Sequence, residues 1–267
     1  MTQFLEKTEH ITLCLFDVLG TSEMTKKKEL NRIYSYYLEL SQIVVQHGRP
    51  IIGARVPVPN PDGTANVARG LVPLNNAFFS DTFIFWTKTH QLNVWKFNEI
   101  CGEIFCKAIE LQIPIRGCIS SGEAIMDTES RLFLGEPLVE AASGEKGQRW
   151  LGLSYGCSFD DKLHYDLMQY IPYKKQIKKD KDYVKIVMPF AVDWARRWRS
   201  TRKENVIDIL KLMNKNKDFS DYYNTTIDFF NHSQKYSEWY KETNALLPSS
   251  REEYLRDVNI WLDSLSK

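Results

Sequence analysis

The sequence predicts an α+β fold, because short apolar segments of strand length alternate with two long segments of helical periodicity. Residues 11–19 are almost uniformly hydrophobic, as expected for a strand that is buried on both faces. Residues 24–47 and 90–111 carry apolar side chains at the spacing of amphipathic helices. Further strands are predicted at residues 51–58, 77–87, 114–126, 150–154 and 183–190.

The predicted elements follow the order strand, helix, strand, strand, helix, strand, and then a short helix at residues 137–142 and more strands. This is the ferredoxin-like βαββαβ arrangement, elaborated at its C-terminal side. The first and third strands of that arrangement are neighbours in the sheet. We therefore expect residues 11–19 to lie beside residues 77–87.

The C-terminal third of the chain differs in character from the predicted sheet. Residues 173–182 form a basic, polar run that predicts a solvated loop, with a phosphate-contacting or partner-docking role as the alternative. From about residue 189 onward the apolar pattern is helical again, and its stripes are typical of packing surface. We predict a catalytic domain over residues 1–199 and a helical C-terminal extension over residues 200–267.

Composition and charge exclude several classes of protein. A chain of 267 residues with 43% hydrophobic residues can bury a sizeable core. The formal net charge of +1 gives no overall attraction to nucleic acids or to anionic membranes. No apolar stretch approaches the roughly 20 residues that span a bilayer, and the polar N-terminal segment does not resemble a signal peptide. The sequence therefore predicts a soluble, cytoplasmic protein.

The five cysteines and five histidines do not show the spacings of a zinc site. No Cys-x-x-Cys pair occurs, and no two histidines lie four residues apart. Most cysteines lie inside apolar segments, which predicts buried thiols in a reducing compartment.

Two aspartates, Asp17 and Asp81, stand inside apolar segments. An ionised carboxylate is costly to bury unless a positive charge neutralises it. Either aspartate alone is equally well explained as an edge-facing strand residue. Two carboxylates on neighbouring strands, however, would repel each other unless a cation lay between them. The pair therefore predicts a divalent metal site.

Four short motifs occur in the order typical of one enzyme superfamily. They are Phe16-Asp-Val-Leu-Gly-Thr21, Ser80-Asp81, Ile115-Arg-Gly-Cys-Ile-Ser-Ser-Gly122 and Gly135-Glu-Pro-Leu-Val-Glu-Ala-Ala142. The ordered set resembles the class III nucleotidyl cyclases over about residues 10–190. Within that superfamily, Pro137-Leu-Val-Glu-Ala-Ala-Ser-Gly-Glu145 is most similar to the pyrimidine cyclases of bacterial Pycsar antiphage systems.

The Pycsar resemblance implies a uridylate or cytidylate cyclase that forms a cyclic nucleotide after infection, and this messenger then activates an effector. It also implies a homodimer that uses two Mn²⁺ or Mg²⁺ ions in each active site. The single catalytic domain with a short tail looks more like the uridylate group, so UTP is favoured over CTP. The implied partners are the nucleoside triphosphate and a second copy of the chain.

The resemblance assigns roles to individual residues. Asp17 and Asp81 would hold both metal ions, together with the backbone carbonyl of Val18. The segment after Asp17 leads into a predicted helix, whose free N–H groups would receive the β- and γ-phosphates. An ordinary strand-to-helix turn is the alternative for this segment. The implied nucleotide-binding residues of the segment are Val18, Leu19, Gly20 and Thr21.

Four arginines and one glutamate are further candidates for roles in nucleotide binding or in supporting the site. Arg55 could reach a uracil edge in the neighbouring subunit's cleft, although a surface or interface salt bridge is the alternative. Arg116 is expected to pair structurally with a carboxylate, whereas Arg131 and Arg149 are weaker candidates for phosphate contacts. Glu145 is expected to support helix packing or a dimer contact.

Three positions depart from the purine cyclases. Glu140 and Gly144 stand where those enzymes carry Asn and Arg, and Ala77 stands where adenylate cyclases carry an adenine-reading Lys. These departures weaken a purine cyclase assignment. They suit a pyrimidine enzyme, or a degenerate cyclase fold that serves as a dimerisation or nucleotide-sensing module. A haloacid-dehalogenase-type phosphatase is disfavoured, because Leu19 stands where its second carboxylate would be.

Overall fold

The computed structural model describes residues 8–20, 30–48, 55–59, 65–69, 74–92, 94–162, 170–174, 177–178, 187–215, 217–243 and 251–265. Within these residues the strands are β1 (Glu9–Val18), β2 (Arg55–Pro59), β3 (Ala65–Arg69), β4 (Asn75–Phe79), β5 (Thr82–Lys88), β6 (Ile115–Asp127), β7 (Leu132–Gly135), β8 (Leu153–Gly156), β9 (Tyr170–Pro172) and β10 (Val187–Val192). The helices are α1 (Leu30–Gly48), α2 (Val94–Glu110), α3 (Glu136–Lys146), α4 (Trp194–Thr201), α5 (Val206–Met213), α6 (Ser220–Thr243) and α7 (Arg251–Ser264). The α+β prediction is confirmed.

The main sheet is built around β1. In order across the sheet the strands are β4, β5, β1, β6, β8, β10 and β9, and β7 pairs with β6 outside this row. β1 is antiparallel to both β5 and β6, whereas β8 joins β6 in parallel. Strands β4, β5, β1 and β6 have the order of the ferredoxin-like arrangement that the sequence predicts. The strand that carries Asp17 is therefore central in the sheet.

The segment predicted as one strand over residues 77–87 is instead a hairpin. β4 and β5 are antiparallel, and Ser80 and Asp81 form the two-residue turn between them. Ser80 has a φ of 52°, the left-handed conformation that tight hairpin turns require. The turn is difficult to recognise in the sequence, because Ser80 and Asp81 lie between aromatic residues that are typical of a single strand.

The strand predicted at residues 51–58 does not belong to the main sheet. Its described part, β2, pairs with β3 in a separate two-stranded sheet. Pro57 and Pro59 lack backbone N–H groups, so β2 cannot donate a full ladder of hydrogen bonds. A proline-rich segment suits such a ribbon better than a central strand. The partner of β5 in the main sheet is β4 instead.

Other elements lie close to their predicted positions with shifted ends. The short helix predicted at residues 137–142 is α3, which has Pro137 in its first turn and is capped by Gly147. The helical pattern predicted from about residue 189 begins at Trp194, because β10 extends to Val192. Strand β9 was not predicted, since its three residues carry no recognisable pattern.

Two hydrophobic clusters cover the two faces of the main sheet. The larger one includes side chains of α1, α2 and the C-terminal helices, among them Val206, Phe229 and Tyr254. The smaller one lies between the sheet and α3. Helices beyond residue 200 thus share a core cluster with the sheet, while a domain boundary at that position stays a prediction. None of the helices in the described part of the chain combines the length and hydrophobicity that crossing a lipid bilayer requires.

Candidate active site

Asp17 lies near the end of β1, in the row of side chains that faces helix α3. Alternation along the strand places it on the same face as Leu13 and Leu15, which belong to the smaller core cluster. The register sets Asp17 opposite Thr82 of β5 and Arg116 of β6. Its side chain keeps 21% of its accessible surface. The carboxylate therefore lies where the apolar row opens to solvent.

The Ser80–Asp81 turn is held against the end of β1. The Val18 N–H donates a hydrogen bond of 3.0 Å to the Asp81 carbonyl oxygen, and the Tyr37 hydroxyl donates one of 2.9 Å to the Ser80 carbonyl oxygen. Burial raises the pKa of Tyr37 to about 12, and the nearby charges of Asp81 and Asp17 add to the rise. The Tyr37 hydroxyl therefore keeps its proton at neutral pH and stays a donor to the turn.

The strand order brings the two aspartates into one neighbourhood. Thr82, which follows Asp81, is the Cα partner of Asp17 across the sheet. Burial raises the pKa of the Asp17 carboxyl, the Arg116 charge opposes that rise, and the negative charge of Asp81 adds to it. Asp81 is thus close enough to Asp17 for one carboxylate to influence the other.

Arg116 links Asp17 to helix α3. Its Nη2 lies 3.6 Å from Oδ2 of Asp17, and its Nε forms an ion pair with the Glu145 carboxylate. Its Nη1 donates to the carbonyl oxygen of Gln148 at 3.3 Å. The side chains of Arg116 and Glu145 keep only 11% and 4% of their accessible surface. The prediction that Arg116 pairs with a carboxylate is confirmed, and it pairs with two.

Glu145 is a buried carboxylate with a perturbed pKa. Burial raises its pKa to about 7, the Arg116 charge opposes the rise, and the charge and hydrogen bond of Asp17 add to it. The two acidic groups share one guanidinium, and the negative charge of Asp17 disfavours ionisation of Glu145. Glu145 supports the docking of α3, as expected, through an ion pair that also reaches the candidate site.

Gln148, whose side chain is fully buried, fixes the backbone segments next to Arg116. Its Nε2 donates to the carbonyl oxygens of Gly117 at 2.9 Å and Gly144 at 3.1 Å. Its Oε1 accepts from Nε1 of Trp150 at 2.7 Å and from the hydroxyl of Ser154 at 3.0 Å. The amide has two donors and two acceptor sites, so all are satisfied. β6, α3 and β8 are thus tied together beside the base of the Arg116 side chain.

The two helix positions that depart from the purine cyclases have structural roles in this chain. Glu140 accepts hydrogen bonds from the Ser158 N–H, at 3.0 Å, and from the Ser158 hydroxyl. Gly144 packs so closely on β6 that a Cβ atom there would lie 2.6 Å from Sγ of Cys118. A side chain at position 144 would therefore push α3 away from the sheet.

The segment after Asp17 is described only as far as Gly20. The N–H groups of Val18 and Leu19 donate to the carbonyl oxygens of Asp81 and Pro114, so neither is free to receive a phosphate. These two amides continue the pairing of β1 with its neighbours, and the phosphate contact of the segment stays a prediction. Gly20 has a φ of 80°, which glycine adopts without strain.

Two of the predicted site residues lie partly or wholly outside the described residues. Thr21 is not described. For Arg55 the structure describes the backbone of β2, in register with Arg69 of β3, but not the side chain. Both residues therefore keep the roles that the sequence assigns to them as predictions.

Arg131 lies in the turn between β6 and β7, at the opposite end of β6 from Arg116. The extended strand from Arg116 to Asp127 covers about 36 Å at roughly 3.3 Å per residue. Arg131 therefore lies too far from Asp17 of the same subunit to contact a phosphate bound there, and its phosphate contact otherwise stays a prediction. Arg149 follows Gln148 in the segment between α3 and β8, and its phosphate contact stays a prediction.

The chemistry of the two aspartates suits a hard divalent cation. Mg²⁺ and Mn²⁺ prefer oxygen ligands, and Mg²⁺ is often held by one or two carboxylates together with substrate phosphates. Asp17 and Asp81 offer two carboxylates at the end of β1. In the described ranges no three His, Cys, Asp or Glu side chains form a metal cluster. Oxygens of a bound substrate and of water would therefore have to complete the coordination.

The sequence reasoning missed two contacts of the site. Glu145 contacts Asp17. In the sequence Glu145 stands out only as an acidic residue on the buried face of a helix that otherwise carries uncharged residues there. Tyr222 of α6 packs its ring against the Arg116 guanidinium, with 5.8 Å between Cζ and the ring centre. No local signal marks Tyr222, because 106 residues separate it from Arg116.

Comparisons with known proteins found only remote structural similarity. No family model matches the chain, and no curated protein matches it. A bacterial light-regulated adenylyl cyclase is 12% identical with a TM-score of 0.47 over 78% of this chain, which spans 57% of that protein.

Two further solved structures are similar to the chain at the same low level. The catalytic core of a rhodopsin-guanylyl cyclase with converted specificity, in complex with ATPαS, is 12% identical, with a TM-score of 0.46 over 69% of this chain and 94% of its own. A class III adenylyl cyclase-like ATP-binding protein from Pseudomonas aeruginosa is 11% identical, with a TM-score of 0.38 over 84% of this chain and 43% of its own. Similarity this remote establishes neither a family nor an activity for the chain.

Proposed function

We propose that this chain is a metal-dependent pyrimidine nucleotide cyclase of the class III type. It would convert UTP, or less readily CTP, into the 3′,5′-cyclic monophosphate and pyrophosphate. The observation that carries the proposal is the convergence of Asp17, at the end of β1, with Asp81, in the adjoining hairpin turn. The order of the four sequence motifs supports the reaction type, since it resembles that of class III cyclases.

The reaction is a displacement at phosphorus within one nucleotide. The ribose 3′-oxygen forms a bond to the α-phosphorus, and the bond from that phosphorus to the bridging oxygen of the β-phosphate breaks. Pyrophosphate leaves with the electron pair, and the hydroxyl proton passes to water. When bound, divalent ions would lower the pKa of the attacking hydroxyl and neutralise the leaving phosphates.

The chain's own residues would hold and orient the reactants. Asp17 and Asp81 would bind two Mn²⁺ or Mg²⁺ ions, and the Val18 carbonyl would add a further oxygen. Gly20 would let the backbone approach the β- and γ-phosphates closely, and Thr21 would continue that contact. Arg55 of a second subunit would read the edge of the uracil base.

We assign the product a role as a second messenger in antiphage defence. The support is the resemblance of the α3 segment, Pro137 to Glu145, to the Pycsar cyclases. In this proposal the enzyme is a cytoplasmic homodimer, and its effector is reached only through the cyclic nucleotide.

A catalytically degenerate cyclase fold is the second candidate function. It is favoured by Glu140 and Gly144, which are engaged in packing where purine cyclases carry two functional side chains. Such a protein would bind nucleotides or form dimers without turnover. The buried Glu145 and the half-buried Asp17 oppose this reading, because a non-catalytic module gains nothing from the cost of desolvating two carboxylates that share one guanidinium. A purine cyclase is the remaining alternative.

The decisive experiment incubates the purified protein with each of the four ribonucleoside triphosphates and Mn²⁺. The products are separated by chromatography and identified by mass, and pyrophosphate is measured in parallel. We expect cyclic UMP as the main product. Asp17→Asn and Asp81→Asn should each lower turnover by about a hundredfold or more, because each removes a metal ligand while keeping the side-chain volume.

Each other result excludes a specific part of the proposal. A cyclic product from ATP or GTP alone would exclude pyrimidine specificity. No cyclic product from any nucleotide, with nucleotide binding retained, would favour the sensing module. Full turnover in either aspartate variant would exclude the metal pair.

A further inference from the structure

Helix α6 lies outside the predicted catalytic domain, yet it contacts the residue that pairs with Asp17. We propose that α6 is a positioning element, which holds the Arg116 guanidinium partly away from Asp17 and so leaves the Asp17 carboxylate available to a cation. The inference rests on the proposed function, because it takes Asp17 to be a metal ligand. It assigns a role to a part of the chain for which the sequence predicts only packing.

The first step is that the Arg116 guanidinium contacts its partners at unequal distances. Its Nε forms an ion pair with Glu145, whereas the distance from Nη2 to Asp17 is 3.6 Å, long for a charge-assisted hydrogen bond. Its Nη1 lies 3.3 Å from the Gln148 carbonyl oxygen and 3.5 Å from the Tyr222 hydroxyl. The guanidinium thus has three further partners, Glu145, Gln148 and Tyr222, besides Asp17. The distances to Asp17 and to the Tyr222 hydroxyl are the two longest of the set, so the guanidinium is not closed onto the Asp17 carboxylate.

The second step is the contact with the Tyr222 ring. The Cζ atom of Arg116 lies 5.8 Å from the ring centre, within the range of a cation–π interaction. A planar guanidinium against an aromatic face keeps a defined orientation. Because Tyr222 is in the first turn of α6, this orientation depends on where the helix begins.

The third step is the anchoring of α6 to the segment between α3 and β8. The buried Thr226 hydroxyl accepts a hydrogen bond of 2.8 Å from the Leu151 N–H and lies 3.0 Å from the Leu151 carbonyl oxygen. One turn further along, the Phe229 ring meets Trp150 edge to face with 4.6 Å between ring centres. The first turns of α6 are therefore tied to the segment whose Gln148 carbonyl also binds Arg116.

These contacts make Tyr222 a positioning residue, which acts on Asp17 only through Arg116. Without the ring, the guanidinium can close onto Asp17 and compete with a divalent cation for the same carboxylate. Metal affinity should fall although no ligand has changed. A purely structural role of α6 would instead lower stability and leave metal affinity as it was.

The test measures Mn²⁺ binding to the full chain without nucleotide, from the electron paramagnetic resonance signal of free Mn²⁺. We expect Tyr222→Leu to raise the Kd for Mn²⁺ by roughly threefold to tenfold, the range that loss of a cation–π contact corresponds to. Tyr222→Phe keeps the ring, so its Kd should stay within about twofold of the wild type. Urea unfolding of each variant monitors stability separately.

Tyr240→Leu is the matched control. It makes the same change in the same helix, about 27 Å from Tyr222 at roughly 1.5 Å per residue, and it removes a buried side chain. It should lower stability without changing the Kd for Mn²⁺. An equal rise of the Kd in Tyr240→Leu and Tyr222→Leu would show a general effect of loosening α6 and would overturn the inference.

Asp17→Asn separates failure of the inference from failure of the proposed function. If wild type binds Mn²⁺ more tightly than Asp17→Asn but Tyr222→Leu binds like wild type, the role of α6 is overturned and the metal site stands. If wild type and Asp17→Asn bind Mn²⁺ equally, Asp17 is not a ligand, and both proposals are overturned.

Discussion

Because the pKa of Glu145 is raised in the folded protein, the metal-free protein should become less stable as the pH rises. Burial raises the pKa of Glu145 from 4.5 to about 7 in the folded protein. Between these values the folded state keeps a proton that the unfolded state has lost, so the free energy of unfolding falls with rising pH. A shift of this size corresponds to at most roughly 3 kcal/mol, and solvent screening makes the effect smaller.

Glu145→Gln isolates this contribution, because glutamine has the same shape and does not titrate. We would measure urea unfolding of both proteins at several pH values from 5 to 8, with a chelator present. At pH 5 the two should differ little, since Glu145 is then protonated in the folded state. By pH 8 the wild type should have lost about 2–3 kcal/mol relative to the variant.

Glu103→Gln is the control for this experiment. Hydrogen bonds with Arg202 and Arg197 lower the pKa of Glu103 to about 2, despite its burial. Glu103 is therefore ionised in both the folded and the unfolded state from pH 5 to 8, and its removal should give a constant offset. If the curves of wild type and Glu145→Gln run parallel over this range, or diverge in the opposite sense, the account of the buried carboxylate is refuted.

Two other substitutions test packing and base recognition. Gly117→Ala should lower the free energy of unfolding by about 1–3 kcal/mol, because its Cβ would lie 2.6 Å from the Leu15 carbonyl oxygen and 2.7 Å from the Leu153 side chain. Gly102→Ala, whose Cβ would have 3.5 Å to its nearest neighbour, is the control and should not lower stability in urea unfolding; equal losses would contradict the packing argument. Arg55→Ala should reduce the ratio of kcat/KM for UTP to that for ATP by roughly tenfold with a smaller effect on turnover, and an unchanged ratio would exclude Arg55 as the base reader.

The position of Asp17 could be predicted from the sequence because it depends on periodicity and element order. A uniformly apolar strand followed by a long amphipathic helix places residues 11–19 in the middle of the sheet, and the ferredoxin-like order puts the Asp81 hairpin next to it. The exact turn at Ser80 and Asp81 could not be predicted, because the aromatic run around it fits a single strand equally well.

The partners of Asp17 could not be predicted, because they depend on packing between distant segments. The sheet register sets Arg116 opposite Asp17, and this requires knowing how β1 and β6 align to the residue. The approach of Glu145 further depends on the depth at which α3 docks, which Gly144 permits by its lack of a side chain. Tyr222 requires the placement of a helix from the far end of the chain.

The charges around Arg116 are more easily explained by function than by stability. Buried ion pairs contribute little to stability, because desolvation offsets most of their attraction. Here the Arg116 guanidinium forms ion pairs with both Asp17 and Glu145, and Asp81 adds a third negative charge near Asp17. Burial raises the pKa values of Asp17 and Glu145, and the charge of Arg116 opposes the rise for both. The negative charge of Asp81 adds to the rise for Asp17, while Lys146 opposes it. A divalent cation between Asp17 and Asp81 would offset the desolvation of Asp17 and the repulsion between the two carboxylates, so the burial that costs the metal-free fold stability would favour metal binding.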